Sequence, residues 1–337
     1  MTKLQLMKNA LSGKIVERTP ASFWLHFPKD QSSGQACIDA HLEFLEKTDV
    51  DYLKIMNDGL DYKLPEGVKI TCGGDWRKIK PQGKDSTYVR EAVERVRAIT
   101  DAVGDEIATF YTVFAPVTIA RHHVVVDYFQ PYKKEIAKGG DDDMLLRKYL
   151  AEDEEAVLQG LDAIAEDTAT LIRAVIEEGG ATGVFISIMS GEIDRFSREE
   201  YYRWVRPTDL KIIEAANAVS DYNIVHYCGY TGVPNDLQRW LDYPAKVINW
   251  HTSTDHLNPA QAREVFGQDK VLLGGMDNGF ESIIYKGTKE EIQTEVQRLI
   301  ETYGNTPFIL GADCTVPPTT DYAHIRWAVE AAKNTKK

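Results

Sequence analysis

Cysteine is scarce in this sequence. The 337 residues include four, Cys37, Cys72, Cys228 and Cys314. Four scattered thiols cannot make the disulfide framework of a small secreted domain. In a reducing compartment they are free thiols, metal ligands or nucleophiles. Long apolar runs are also missing, and none approaches the roughly 18–20 residues of a membrane span. The N-terminal MTKLQLMKNALSGK has neither a continuous apolar stretch nor a small-residue cleavage site. Its Leu4, Met7 and Leu11 recur at helical spacing and predict a surface helix. A cytoplasmic protein is expected. Positive charge is short, with 39 Lys and Arg against 52 Asp and Glu and a net charge of −13. No basic stretch compensates, so nucleic acid and anionic membranes are poor partners. No Gly-x-Gly-x-x-Gly follows an early strand, which leaves a doubly wound dinucleotide fold without support.

What is present is an alternation of short β-branched or aromatic runs with longer amphipathic stretches. Candidate strands lie at 21–27, 51–56, 107–114, 183–189, 222–228, 245–250, 270–275 and 307–312. Helical periodicity fills most of the intervals, with Pro207 as a kink or helix start. Strands and helices in this order predict an α/β fold, a (β/α)8 TIM barrel with an N-terminal helix. The whole chain, 1–337, is read as one domain. The segment 121–155 is long for one connection and is expected to be an inserted helical cap or a docking surface.

In such a barrel chemistry sits at the C-terminal ends of the strands. One of those ends reads IVHYCG. His226 and Cys228 are two apart, so on an extended strand both point to the same side. Cys314 ends the last strand on the same rim. One imidazole and two thiolates suit tetrahedral Zn²⁺, with a fourth position left open. The bland alternative is a buried histidine beside a buried cysteine.

HYCG, followed far downstream by FILGADCTVPPTTDYAHIRWAVEAA, resembles the zinc motif of cobalamin-dependent methyltransferases of the uroporphyrinogen decarboxylase superfamily. GKIVERTPASFW, FYTVFAPVTIAR and VLLGGMDN resemble other superfamily segments, with Met276 and Asn278 as departures. The resemblance implies a barrel and zinc-dependent methyl transfer. The methyl group would move between a corrinoid and a thiol or a methylated small molecule. No Asp-x-His-x-x-Gly signature occurs, so the corrinoid is expected on a partner protein. The superfamily's decarboxylases grip a polycarboxylate with arginines after Arg-Thr-Pro. Here Trp24, Leu25 and His26 stand there, and Cys314 replaces a histidine. Both departures weigh against decarboxylation, which stays as a rival beside a non-catalytic barrel with structural zinc. Related enzymes use an acidic residue near VINWHTSTDH. Asn249 takes its place here, so His251 becomes the candidate fourth ligand.

Other polar strand ends complete the candidates. Asp58, Asp277 and Glu192 are read as pocket residues, against turn-capping or N-cap roles. Trp24 and Tyr111 are read as lining a corrinoid or substrate pocket, against plain core roles. His122 and His123 are adjacent, so as strand residues they would face opposite ways and share no metal. Cys37 and Cys72 are read as structural, without a His or Cys neighbour at ligand spacing.

Overall fold

The computed structural model describes residues 1–125 and 141–335. Among these residues, seven parallel strands form one sheet in sequential order. They are β1 (Tyr52–Ile55), β2 (Ala108–Phe114), β3 (Gly183–Ile188), β4 (Ile224–Tyr227), β5 (Val247–Trp250), β6 (Val271–Met276) and β7 (Phe308–Ala312). Nearly every strand residue is buried. That is the signature of a parallel sheet covered on both faces, and it explains why the strands read as continuous apolar runs. The main helices are α1 (Lys3–Leu11), α2 (Gly34–Thr48), α3 (Thr87–Val103), α4 (Asp141–Glu177), α5 (Arg206–Asn217), α6 (Pro259–Phe266), α7 (Lys289–Tyr303) and α8 (Tyr322–Asn334). Their starts follow capping chemistry. Thr2, Asn258 and Thr288 each close a capping box with Gln5, Gln261 and Glu291 respectively. Pro207 follows directly on a π-helical stretch, Tyr201–Val205, inside a continuous helical run from Arg198 to Asn217, and the widened turn accommodates a residue with no N–H to give.

The architecture is TIM-barrel-like, with one difference from the expected eight strands. Residues 21–27 form two isolated parallel bridges, Ala21 with Leu310 and Leu25 with Val316, rather than a strand. Between these bridges the segment advances four residues while its partner advances six (25 − 21 against 316 − 310). The ladder therefore breaks where Asp313 and Cys314 leave β7. Such a local excess re-aims side chains at a sheet end. The segment still spans the gap between the edge strands. Ser22 N–H donates to the Leu310 carbonyl at 3.0 Å, and Asp51 N–H donates to the Ala21 carbonyl at 2.9 Å. Arg18 holds this segment to the start of β1 through a bidentate pair with buried Asp51 at 2.6 and 2.7 Å.

Of the cap expected at 121–155, residues 126–140 lie outside the described residues. Its far end, 141–155, belongs to α4, a 37-residue helix kinked at Asp153. Residues 120–125 are π-helical rather than extended, so the alternation argument used for His122 and His123 does not apply to them. His122 itself is buried, with its ring edge-on to Tyr230 at 6.4 Å. Among the described residues no helix is long and apolar enough to cross a membrane.

Candidate metal centre

His226 lies on β4 and Cys228 just past its end, where its N–H still bonds the Ile188 carbonyl of β3 at 2.9 Å. Cys314 comes from the break after β7. The three ligand atoms all lie within 4.8 Å of one another. The two Sγ atoms are 3.8 Å apart, and Cys314 Sγ is 3.4 Å from His226 Nε2. A tetrahedral zinc with bonds of about 2.3 Å to sulfur and 2.0–2.1 Å to nitrogen has edges of about 3.8 and 3.6 Å. The donor set therefore fits the ion in both chemistry and spacing. The hydrogen bond between the thiols holds Cys314 well below the ordinary thiol range, with His226 and Lys54 adding to the effect. The same contact, with burial, pushes Cys228 up. The two thiols are therefore linked: a proton on one favours the thiolate on the other.

The surroundings explain how the cluster is held. Asn249 faces His226 across β4 and β5. Its amide donates to the Leu273 and Ala312 carbonyls at 2.9 and 3.2 Å, while its buried Oδ1 has no partner. His226 Nδ1 is also buried and unpartnered. Asp313, fully buried beside Cys314, accepts from Thr252 Oγ1 and from Gly275 N–H at 3.3 Å. It thereby ties the loop after β5 and the end of β6 to the cluster. Burial raises its carboxyl to about 7 despite those donors. Gly274 and Gly275, within β6, both have positive φ, at 137° and 103°, and Gly275 presents its N–H to Asp313 there. Gly229 allows a close approach, because a Cβ there would lie 2.7 Å from His251 Cβ.

The remaining sequence candidates divide. His251 borders the cluster but is not one of the three grouped residues. Its Nδ1 accepts from Thr254 N–H at 3.4 Å and meets Ser253 Oγ at 3.2 Å, which leaves Nε2 as the nitrogen for a ligand. Trp24 is in the interior, edge-on to Phe185 at 5.1 Å, and Phe185 in turn lies 5.5 Å from the His226 ring. Asp58 pairs with His26 Nδ1 at 2.6 Å on the rim. Burial works to raise its carboxyl, but the His26 contact wins and holds it below the usual range. Glu192 is buried and spends both oxygens on Arg195, at 2.7 and 3.0 Å. It makes no N-cap; Ser197 caps the following turn. Asp277 is exposed and accepts from Gly279 N–H at 3.1 Å, an Asx turn. Tyr111 is buried and its hydroxyl has no partner. It sits one residue from Phe110, which packs on Tyr52, so it points to the other face of β2. Its neighbours there include Arg95 and Cys37 of the helix layer.

Sequence reasoning passed over two residues. His41 stands one helical turn after Cys37, with Nδ1 3.7 Å from its Sγ. Lys54 lies in the middle of β1 and is buried at 6% exposure. The signal for Lys54 was a lysine inside an apolar strand, DYLKIM. A separate cleft of about 400 Å³ opens at the other end of the strands, lined by Lys8, Asp105 and Asp221 among others. It brings no comparable donor set together.

The uroporphyrinogen decarboxylase (URO-D) family model matches residues 65–335. The chain belongs to this family. Within it, the chain is similar to the methylcobamide:CoM methyltransferase MtbA of Methanosarcina mazei. The two are 21% identical over 260 residues, which are 77% of this chain and 68% of that protein. The MtbA of Methanosarcina acetivorans is also 21% identical, over 266 residues, 78% of this chain and 68% of that one. A solved methyltransferase from Methanosarcina mazei shares the fold with a TM-score of 0.73 at 16% identity, covering 99% of this chain and 98% of its own. A B12-independent methionine synthase from Shewanella sp. W3-18-1 has a TM-score of 0.55 at 11% identity, covering 94% and 96%. The URO-D family name covers decarboxylases, whereas the curated relatives of this member are named methyltransferases.

Proposed function

We propose that this protein is a zinc-dependent methyltransferase. It moves a methyl group between a corrinoid, carried by a partner protein, and a thiol or methylated small molecule. The observation that supports this most directly is the His226, Cys228 and Cys314 cluster, whose spacing suits a tetrahedral ion with one position free. The named methyltransferase relatives support the reaction class. In this reading those three residues hold the zinc, and His251 Nε2 is the candidate for a fourth, displaceable contact. Zinc bound there supplies Lewis acidity, lowering a thiol's pKa or polarising the heteroatom that carries the methyl group.

The chain's own residues do the rest. Asp313 holds the loop after β5 beside Cys314, and Asn249, next to His226, ties β5 to β6 and β7. Trp24 and Phe185 give the cluster an apolar wall that strengthens every electrostatic contact made there. Asp58 with His26 offers a proton-handling pair at the rim, its ring still reachable by solvent. The chain works as one domain, and the segment 121–155 is the candidate surface for the corrinoid partner. Decarboxylation of a polycarboxylate gains no support, because an aromatic ring and not a guanidinium occupies position 24.

The test is metal content in protein purified without added metal, for wild type, His226→Ala and Cys314→Ser. About one zinc per chain, lost in both variants, is the expected result. Wild type should then transfer methyl from methylcobalamin to a thiol, or the reverse. Protein that takes up no zinc when offered it overturns the proposal. Zinc that no added thiol perturbs favours a closed structural site instead.

A further inference from the structure

Lys54 stands out as a buried charge without a partner. Its Nζ lies 3.9 Å from the centroid of Phe185 and 4.9 Å from that of Trp24. No hydrogen bond or ion pair reaches it among the described residues. Burial pulls its pKa down to about 8, while Cys314, Cys228 and Asp58 work the other way. An ammonium taken out of water destabilises a fold, and two aromatic faces offset only part of that. A methionine would fill the same space without the penalty. Nothing in the packing of β1 calls for the charge. The charged groups that face it belong to the cluster and to the rim: Cys314, Cys228 and Asp58. Phe185, under the ammonium, also packs on His226.

We propose that Lys54 is a positioning residue whose ammonium is the counter-charge for a thiolate bound at the His226, Cys228 and Cys314 cluster. This rests on the methyltransferase reading and deepens it. Two cysteine thiolates cancel the charge of a dication. A third sulfur, entering as a thiolate, leaves the cluster at −1, and Lys54 returns the site to neutrality. In that binding step the thiol's S–H bond breaks, a sulfur–metal bond forms and the proton leaves to solvent. No electron changes hands. A methylated sulfur is a neutral thioether and needs no counter-charge. Lys54 therefore stabilises the unmethylated form relative to the methylated one, whichever way the methyl group travels. In a site walled by aromatic rings the attraction is screened far less than in water.

The experiment titrates zinc-loaded protein with 2-mercaptoethanol, which has no charged tail, and with 3-mercaptopropionate, which has one. It uses wild type, Lys54→Met and Lys54→Arg, with zinc content and Tm measured on each. Lys54→Met should keep its zinc, melt at the same or a higher temperature, and bind both thiols at least tenfold more weakly. Lys54→Arg should recover most of that loss. Unchanged thiol affinity in Lys54→Met overturns the inference. So does a loss confined to 3-mercaptopropionate, which would make Lys54 an anchor for the tail. Should Lys54→Met fail to fold, Lys54→Gln gives the same decision. Wild type that holds zinc and takes up neither thiol overturns the underlying reading, and this inference with it.

Discussion

His41 and His226 are both buried histidines in contact with a cysteine sulfur, and their hydrogen bonding separates them. His41, on α2, uses both nitrogens. Its Nδ1 donates to the Cys37 carbonyl at 2.7 Å, and its Nε2 accepts from Met56 N–H at 2.9 Å. That fixes one neutral tautomer, and burial holds the pKa down at about 4. The Cys37 sulfur is a bystander, pushed up by burial. His226 has an unpartnered Nδ1, and its Nε2 faces a thiol that itself faces another thiol. Buried polar groups are almost always satisfied, so the unsatisfied site is the one arranged for something else. Residue type and burial do not separate the two histidines. The inventory of remaining donors and acceptors does.

Metal content should split them most sharply. Cys37→Ala and His41→Gln are expected to keep the full zinc complement, where His226→Ala loses it. Zinc lost in Cys37→Ala by a correctly folded protein would erase the distinction. Stability should split them the other way. His41→Ala leaves Met56 N–H unpaired in the interior, for about 1–3 kcal/mol. Thermal melts at neutral pH measure this, and a loss under half a kcal/mol would count against a structural His41. The pH dependence has a definite sign. The folded pKa of about 4 lies below the ordinary 6.5. Above the higher value His41 is neutral in both states and its contribution is complete. As pH falls below it, only the unfolded chain gains the proton, so stability is lost progressively down to the lower value. His41→Gln should flatten the Tm profile across that window.

A smaller effect is expected between the histidines of the rim. A Cβ at Gly229 would press on His251. Gly229→Ala should cost about 1–3 kcal/mol by overpacking while retaining His226, Cys228 and Cys314 as ligands. If its zinc is held as tightly as in wild type, His251 is no necessary fourth ligand. If zinc weakens without further loss of fold, His251 belongs to the shell.

Much of this was readable from residues alone, and the rest was not for physical reasons. Spacing put His226 and Cys228 on one side of a strand, and strand order put Cys314 on the same rim. The parallel strands were legible because each is a buried run between helical periodicities. The first strand was misread because its composition is that of a strand, while its pairing is broken by the two extra residues that release Asp313 and Cys314. Pairing is a property of the partner and cannot be read from the segment. Lys54 was missed because a single cation in an apolar run carries no periodicity. Glu192 could not be judged until Arg195 was seen folded back on it. His41 was missed because a His four residues after a Cys points at a metal only when neither nitrogen is already used.

The smallest effect should come from Cys72, the one exposed cysteine of the four. It sits at the start of a 3-10 turn, with its backbone N–H bonded to Asp75 Oδ2 at 3.2 Å. Cys72→Ser should change stability by no more than about 0.5 kcal/mol and leave zinc untouched. Its value is as a reference for reactivity. In zinc-loaded protein a maleimide should modify Cys72 first, because Cys37 and Cys228 are buried and Cys314 would be committed to the ion. Chelation should then add Cys314 as the second reactive thiol, since it is half-buried and its thiolate is favoured by Cys228, His226 and Lys54. Cys37 should stay silent in both states. Labelling that follows this order, read by peptide mass, separates cysteines that are buried from one that is protected. Cys314 reacting equally with and without zinc would show that the metal does not rest on it.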